Sequence, residues 1–324
     1  MAVQLHGGID VYEKYHHLMP EIAALGADTI LFVVHGWQEH AGSLDLHIDP
    51  RKTADAKELG KLCDLAVDHG LRVILMPIVL LDSPRNNEWR GKIIPPNHDW
   101  DEWFKRYTRF ILQFAKIAER HKVTIFMVGS ELVKTETYTD RWRRGKLGYS
   151  ANWDHYQTEK IAFWKDLDYV GMTSYYELAA GPGPAMEEID KNWSLIKSQI
   201  KQFQAEVRRP LIFTEVGWCS QVGAAHEGWN YYANQKPSES GLKEQAMLYE
   251  SFLKTWGSDP DVGGIIWWEW DASPGGPQDY NYTPRGKPAE QILRRWFAGK
   301  PNGQSTDKAS AAANNHALPA GTAP

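Results

Sequence analysis

Several short apolar runs in this 324-residue chain end in side chains equipped for proton or sugar chemistry. VGSEL carries Glu131 and IFTEVGW carries Glu215. TSYYEL brings Tyr175, Tyr176 and Glu177, YSANWDHY brings Asn152, Trp153 and Asp154, and WWEWD brings Trp267, Trp268, Glu269, Trp270 and Asp271. A carboxylate at the end of an apolar strand needs a partner or a task. For a single glutamate the plain alternative is an ion pair. Two that face one another are more specific, because carboxyls about 5–5.5 Å apart make the geometry of retaining glycoside hydrolysis, with one nucleophile and one acid/base. Glu131 and Glu215 are that pair. Strand alternation points Glu269 away from Trp268 and Trp270, so if those two face a ligand, Glu269 faces the helices in an ion pair. Glu177 reads as a subsite contact, and Glu136 lies one turn too far along to join the pair.

Other chemistries fit less well. The 12 histidines are scattered, His16 and His17 are adjacent, and HExxH is absent, so neither a metal nor an organic cofactor is expected. His35 and His40 flank Trp37 in the loop after the second apolar run, which suits substrate contact. VGSEL lacks the glycine that would follow a serine nucleophile, so Ser130 is not an acyl-transfer residue. Cys63 and Cys219 read as buried packing and leave the redox compartment open.

Eight runs must position these residues: Val3–His6, Thr29–Val34, Arg72–Ile78, Thr124–Val128, Leu147–Ala151, Tyr169–Ser174, Leu211–Thr214 and Gly264–Trp270. Several are continuously apolar, as strands buried on both faces of a parallel sheet are. Between them run helical stripes, such as Ala56, Leu59, Leu62, Cys63 and Ala66, or Ile189, Trp193, Ile196, Ile200, Phe203 and Val207. The pattern predicts a single (β/α)8 barrel over residues 1–299, with function at the carboxyl ends of its strands. A doubly wound sheet is the alternative, but LHGGID has neither the dinucleotide spacing nor the GK[ST] of a phosphate loop. The helical segments after the fourth and fifth strands look stunted, at Tyr138–Arg144 and roughly Gln157–Trp164. From Lys300 to Pro324 the composition turns to that of a disordered tail or linker.

The 36 basic and 41 acidic side chains give a net charge of −5, which argues against nucleic acid or anionic membrane as the main partner. No stretch approaches the ~20 apolar residues of a membrane span, and no leader is legible at the N-terminus. A soluble monomer is expected, its compartment open. The 15 tryptophans outnumber the tyrosines and the phenylalanines. Indoles stack on the apolar face of a sugar ring, and Trp37, Trp89, Trp153, Trp218, Trp229 and Trp270 fall at strand ends or in long connections. Many of the indoles are therefore expected to line one face of the barrel.

The set WRG (89–91), WFKRY (103–107), GSEL (129–132), YSANWDHY (149–156), LDYVGMTSYYEL (167–178), IFTEVGW (212–218), GIIWWEW (264–270) and YTPRGKPAEQIL (282–293) resembles the clan A glycoside hydrolases, and family 113 with its β-mannanase-like bacterial members most of all. The likeness runs in consistent order over nearly all of residues 3–298. It implies that Glu131 is the acid/base, Glu215 the nucleophile and Tyr175, or else Tyr176, the residue that holds the nucleophile. It also implies that Trp268 or Trp270 floors the −1 sugar site, with Asn152, Trp89 and Arg90 as subsite residues. Where the wider clan has Asn before the acid/base, this chain has Ser130, as in family 113, leaving the sugar 2-hydroxyl to another residue such as Asn152. The segment from Glu136 to Lys146 is shorter than the helix expected there. The activity implied is retaining, endo-acting hydrolysis of a mannan-type polysaccharide. The alternatives are another β-glycan, transglycosylation, or a sugar-binding barrel without turnover.

Overall fold

A computed structural model describes residues 1–142, 148–158 and 160–299. Eight parallel strands pair strictly in sequence order: β1 (Ala2–Gln4), β2 (Thr29–Gln38), β3 (Arg72–Leu81), β4 (Ile125–Ser130), β5 (Gly148–Ala151), β6 (Val170–Thr173), β7 (Leu211–Val216) and β8 (Val262–Trp267). The Trp270 N–H donates to the Ala2 carbonyl at 2.8 Å, bringing the two edges together. The expected (β/α)8 barrel is the observed one. The proposed tail from Lys300 lies outside the described residues, as do positions 143–147.

Alternation divides the strand side chains between two apolar clusters. Leu31, Val33, Ile74, Met76, Met127 and Ile266 fill the barrel interior. Ile30, Phe32, Val34, Val73, Leu75 and Phe126 pack outward against the helices. Those helices are α1 (Val11–Tyr15), α2 (Leu18–Ala24), α3 (Ala56–Asp68), α4 (Trp100–Arg120), α5 (Thr139–Trp142), α6 (Met186–Val207), α7 (Glu239–Trp256) and α8 (Pro288–Ala298). The stripes that predicted the longer ones are their buried faces. Asp55, Asp99 and Ser238 start α3, α4 and α7 by accepting backbone N–H bonds in the first turn. β2 and β3 run longer than their apolar cores suggest, in unbroken register from Thr29↔Arg72 to Gln38↔Leu81. His35 and Trp37 are therefore strand residues at the barrel mouth, not loop residues.

The expected short helix at Tyr138–Arg144 lies partly outside the described residues; among these, α5 covers Thr139–Trp142, and after β5 there is a 3-10 turn over Ala162–Asp166. Trp142 packs against Phe104, Tyr107, Tyr149 and Phe163 with centroids 5.3–5.9 Å apart.

That packing corrects the expectation for tryptophan. Nine of the 15 (Trp100, Trp103, Trp142, Trp164, Trp193, Trp218, Trp256, Trp267 and Trp270) are buried in the outer cluster, between barrel and helices. Their number reflects the filling of a wide outer shell by large apolar rings, so the tryptophan excess is not independent support for a sugar site.

Candidate active site

Both strand-end glutamates stand where a ladder slips. Phe213 and Val216 of β7 face outward, and register shifts against β6 and β8 fall between them, so Glu215 turns inward after Thr214. The Thr214 hydroxyl meets that of Ser150 at 2.5 Å inside the barrel. On β4 the register against β5 shifts between Met127 and Ser130, and Glu131 follows with φ 54°. That left-handed conformation costs a non-glycine residue on the order of 1 kcal/mol. It is held by the Glu131 N–H, which donates to the Ser150 carbonyl at 2.8 Å. Bulges re-aim side chains in this way beside functional sites.

The two carboxyls have different surroundings. The Tyr175 hydroxyl donates to Glu215 Oε2 at 2.9 Å, while the buried Oε1 has no hydrogen-bond partner among the described residues. Arg90 donates to Glu131 Oε2 at 2.6 Å and to the Ser130 carbonyl at 3.2 Å. The Thr173 hydroxyl donates to Glu131 Oε1 at 3.0 Å, and itself accepts the Trp153 N–H at 3.1 Å. Burial first, and the charge of Glu131 second, push the Glu215 carboxyl up to about 8, against the pull of Arg90 and Tyr175. Glu215 is thereby held protonated well above the ordinary carboxyl range. At the mouth end of β2, His35 stacks on His6 with centroids 5.1 Å apart. Burial drives the His35 imidazole down to about 3, so it is neutral, and neither ring nitrogen has a partner among the described residues.

Other expected site residues divide. Trp268 lies in the inner cluster with Tyr175 and Tyr282. A Cβ at Gly217 would lie 1.8 Å from the Trp268 carbonyl oxygen, so the glycine of TEVGW is what lets the end of β8 close in. Asn152 and Trp153 are half-buried on the loop after β5, with Asn152 Oδ1 3.5 Å from the Thr173 hydroxyl. The Ser130 hydroxyl is buried and has no hydrogen-bond partner among the described residues. Trp37 is half-buried, with the Lys52 ammonium 4.5 Å over its ring. Trp89 is half-buried and folds over Gly91 so closely that a Cβ there would lie 2.3 Å from the ring.

Four expectations are corrected. Trp218 is fully buried in the outer cluster against Trp193, Tyr249 and Phe252, with no face open to a ligand. Trp270 is buried in the outer cluster, its indole N–H 3.3 Å from Glu21. Tyr176 also faces outward, edge-on to Trp153 and Trp193, because alternation turns it opposite to Tyr175. Glu269 does not face the helices: β8 stops at Trp267, so the period of two no longer holds, and Glu269 accepts a 3.0 Å bond from Gln4. Burial pushes its carboxyl up to about 7.

Thr173 escaped the sequence reading; Glu136, read as too far along to join the pair, stays outside it but takes up a supporting position that the sequence reading did not foresee. Glu136 is fully buried behind Glu131. The Tyr149 hydroxyl accepts the Leu132 N–H at 2.9 Å and donates to Glu136 Oε1 at 2.6 Å, while Glu136 Oε2 meets His155 Nδ1 at 2.7 Å. This chain ties the left-handed turn at Glu131 to the fifth strand and its loop. Burial pushes Glu136 up to about 8, the Tyr149 bond opposing and the Glu131 charge adding.

Glu136, Glu215 and Glu269 thus hold protons in the folded chain at pH values where the unfolded chain has lost them. Stability from this source is full below the ordinary carboxyl range and is lost as pH rises to between about 7 and 8. The melting temperature should fall from pH 5 to pH 8, and less steeply in Glu136→Gln. Parallel melting curves for variant and parent would contradict this.

The Glycoside Hydrolase Family 113 description matches residues 11–287. The chain belongs to glycoside hydrolase family 113. It is therefore a glycoside hydrolase, acting on carbohydrate. Among solved structures, this family 113 chain is 26% identical to a β-1,4-mannanase of the same family solved as a complex, over 93% of this chain and 98% of the other, with TM-score 0.78. It is 25% identical to the family 113 β-mannanase AaManA from Alicyclobacillus acidocaldarius in complex with ManMIm, over 92% and 96%, with TM-score 0.79. A family 5 enzyme from Bifidobacterium longum subsp. longum in complex with Manβ1-4GlcNAc shares the fold at 13% identity, over 92% and 78%, with TM-score 0.57. Comparison with curated protein sequences finds no match.

Proposed function

We propose that the chain is a retaining, endo-acting β-1,4-mannanase, with Glu215 as nucleophile and Glu131 as acid/base. The observation that carries this is two buried carboxyls, one just past the end of β4 and one on β7: Glu215 has a tyrosine on one oxygen and no partner on the other among the described residues, and Glu131 lies between an arginine and a threonine. The β-mannanase structures of the same family supply the sugar. Glu215 Oε1 attacks the anomeric carbon as the bond to the leaving oxygen breaks, and that oxygen takes the proton of Glu131. Glu131 then takes a proton from water, whose oxygen displaces Glu215 and leaves the β configuration restored.

This chemistry needs the pair's single proton on Glu131, where Arg90 now donates. Sugar hydroxyls that take over the bonds of Arg90 would free Glu131 to hold it. The Tyr175 bond remains on Oε2 and steadies the attacking carboxylate. In this reading Asn152, whose Oδ1 lies 3.5 Å from the Thr173 hydroxyl, serves the sugar 2-hydroxyl, and Trp268, in the inner cluster, floors the reacting sugar. Proton NMR of β-1,4-mannan digests should show internal cleavage and a β anomer formed first. An α anomer first, or hydrolysis confined to β-glucan or galactan, would refute the assignment.

A further inference from the structure

We propose that the loop after β7 carries a distal sugar-stacking platform, formed by Trp229, Tyr231 and Tyr232, which holds pyranose units of a β-linked chain remote from the bond being cut. The proposal rests on the mannanase reading for the identity of the chain.

These three are the only exposed aromatic side chains among the described residues, at 52%, 42% and 67%. Every other described Trp, Tyr or Phe is buried or half-buried, so the exposure is concentrated in one four-residue segment, 229–232. Large apolar side chains grouped at a surface mark interaction sites. The loop is also built to hold them still. Buried Gln221 donates to the Tyr231 carbonyl and accepts the Asn234 N–H, both at 3.0 Å. Glu244, buried on α7, accepts the Gly223 and Ala225 N–H groups. The Tyr282 hydroxyl donates to the Gly228 carbonyl at 2.9 Å. Holding the backbone from three sides gives the exposed rings a fixed presentation and lowers the ordering cost of a ligand.

The platform is continuous with the catalytic pair. Tyr282 lies 6.0 Å, ring to ring, from Tyr175, whose hydroxyl holds Glu215, and Tyr231 lies 6.4 Å from Tyr282 on its outer side. Tyr232 packs against Tyr231 at 3.8 Å and extends the row into solvent. Tyr175 and Tyr282 are buried, so the faces open to remote sugars are those of the exposed rings at the outer end of the row, Tyr231 and Tyr232, with Trp229 in the same loop. Binding energy from units that do not react is then available to the reaction.

The test compares the Trp229→Ala/Tyr232→Ala double variant with the parent on a β-1,4-mannohexaose and on a short activated aryl β-mannoside. On the hexaose kcat/KM should fall about tenfold, mainly through KM, the effect expected from losing two contact rings. On the short substrate it should not change. An unchanged hexaose value, or equal losses on both substrates, overturns the proposal. Should the parent hydrolyse no β-mannoside, the mannanase reading fails by itself. Native electrophoresis through gels containing soluble β-glycans then decides the platform: retardation of the parent but not of the double variant supports it, and equal mobility of the two overturns it.

Discussion

Glu215→Gln lowers hydrolysis of β-mannan oligosaccharides by at least on the order of 10⁴-fold while the barrel stays folded. The amide has the size of the carboxyl and can still accept from Tyr175, but it has no anionic oxygen to attack the anomeric carbon. In Glu131→Gln the two steps of the reaction separate. Natural substrates, whose leaving alcohol needs a proton, lose about 10²–10⁴-fold. An aryl β-mannoside with a strongly acidic phenol still forms the glycosyl-enzyme, because its leaving group departs unprotonated, and a burst of phenol precedes a slow steady state. Azide, which needs no base, then attacks the waiting intermediate and releases a β-glycosyl azide. Steady-state kinetics and the anomer of the azide product check both expectations. A burst in Glu215→Gln, or a parent-like rate in either variant, would reverse or remove the assigned roles.

Arg90→Ala produces the second large effect. The guanidinium and Glu131 form a mostly buried pair, their side chains 16% and 10% exposed, and the same cation opposes proton retention at Glu215. Removing it leaves two carboxyls to repel each other without a counter-charge, so the pair holds its proton to higher pH. Since turnover needs one proton on the pair and loses it on the alkaline side, the alkaline limb of kcat/KM, expected near pH 8 in the parent, moves upward. The pH-independent rate falls on the order of 10²-fold through the loss of positioning at Glu131 and Ser130. Arg90→Lys keeps the charge but not the fork, so its limb stays near that of the parent while part of the rate loss remains. An unmoved limb in Arg90→Ala would show that the arginine does not govern the shared proton.

The barrel was legible because its evidence is local. β2 and β3 are continuously apolar, and α3 and α6 carry unbroken stripes. The positions of Glu131 and Glu215 were legible for the same reason, as carboxyls that end apolar runs. Their inward aim was not, since it depends on register slips between neighbouring strands. The outer tryptophans were misjudged because an indole at a strand end looks the same in sequence whether alternation turns it inward, as at Trp268, or outward, as at Trp218. Glu136 needed three segments to be recognised: its own, Tyr149 on the next strand and His155 beyond it. Both partners stood in the YSANWDHY motif, but nothing in their spacing links them to a glutamate 13 and 19 residues earlier. Glu269 shows the same limit, because alternation cannot be carried past the residue where a strand stops.

The most direct test of the double displacement is capture of the intermediate with a 2-deoxy-2-fluoro-β-mannosyl fluoride, followed by peptide mass mapping. A single sugar should become attached to the peptide containing IFTEVGW, with fragmentation placing it on Glu215, and Glu215→Gln should take up none. A label on Glu131 or Glu269, or full turnover with an α product and no labelled peptide, would contradict Glu215 as the nucleophile of a retaining enzyme.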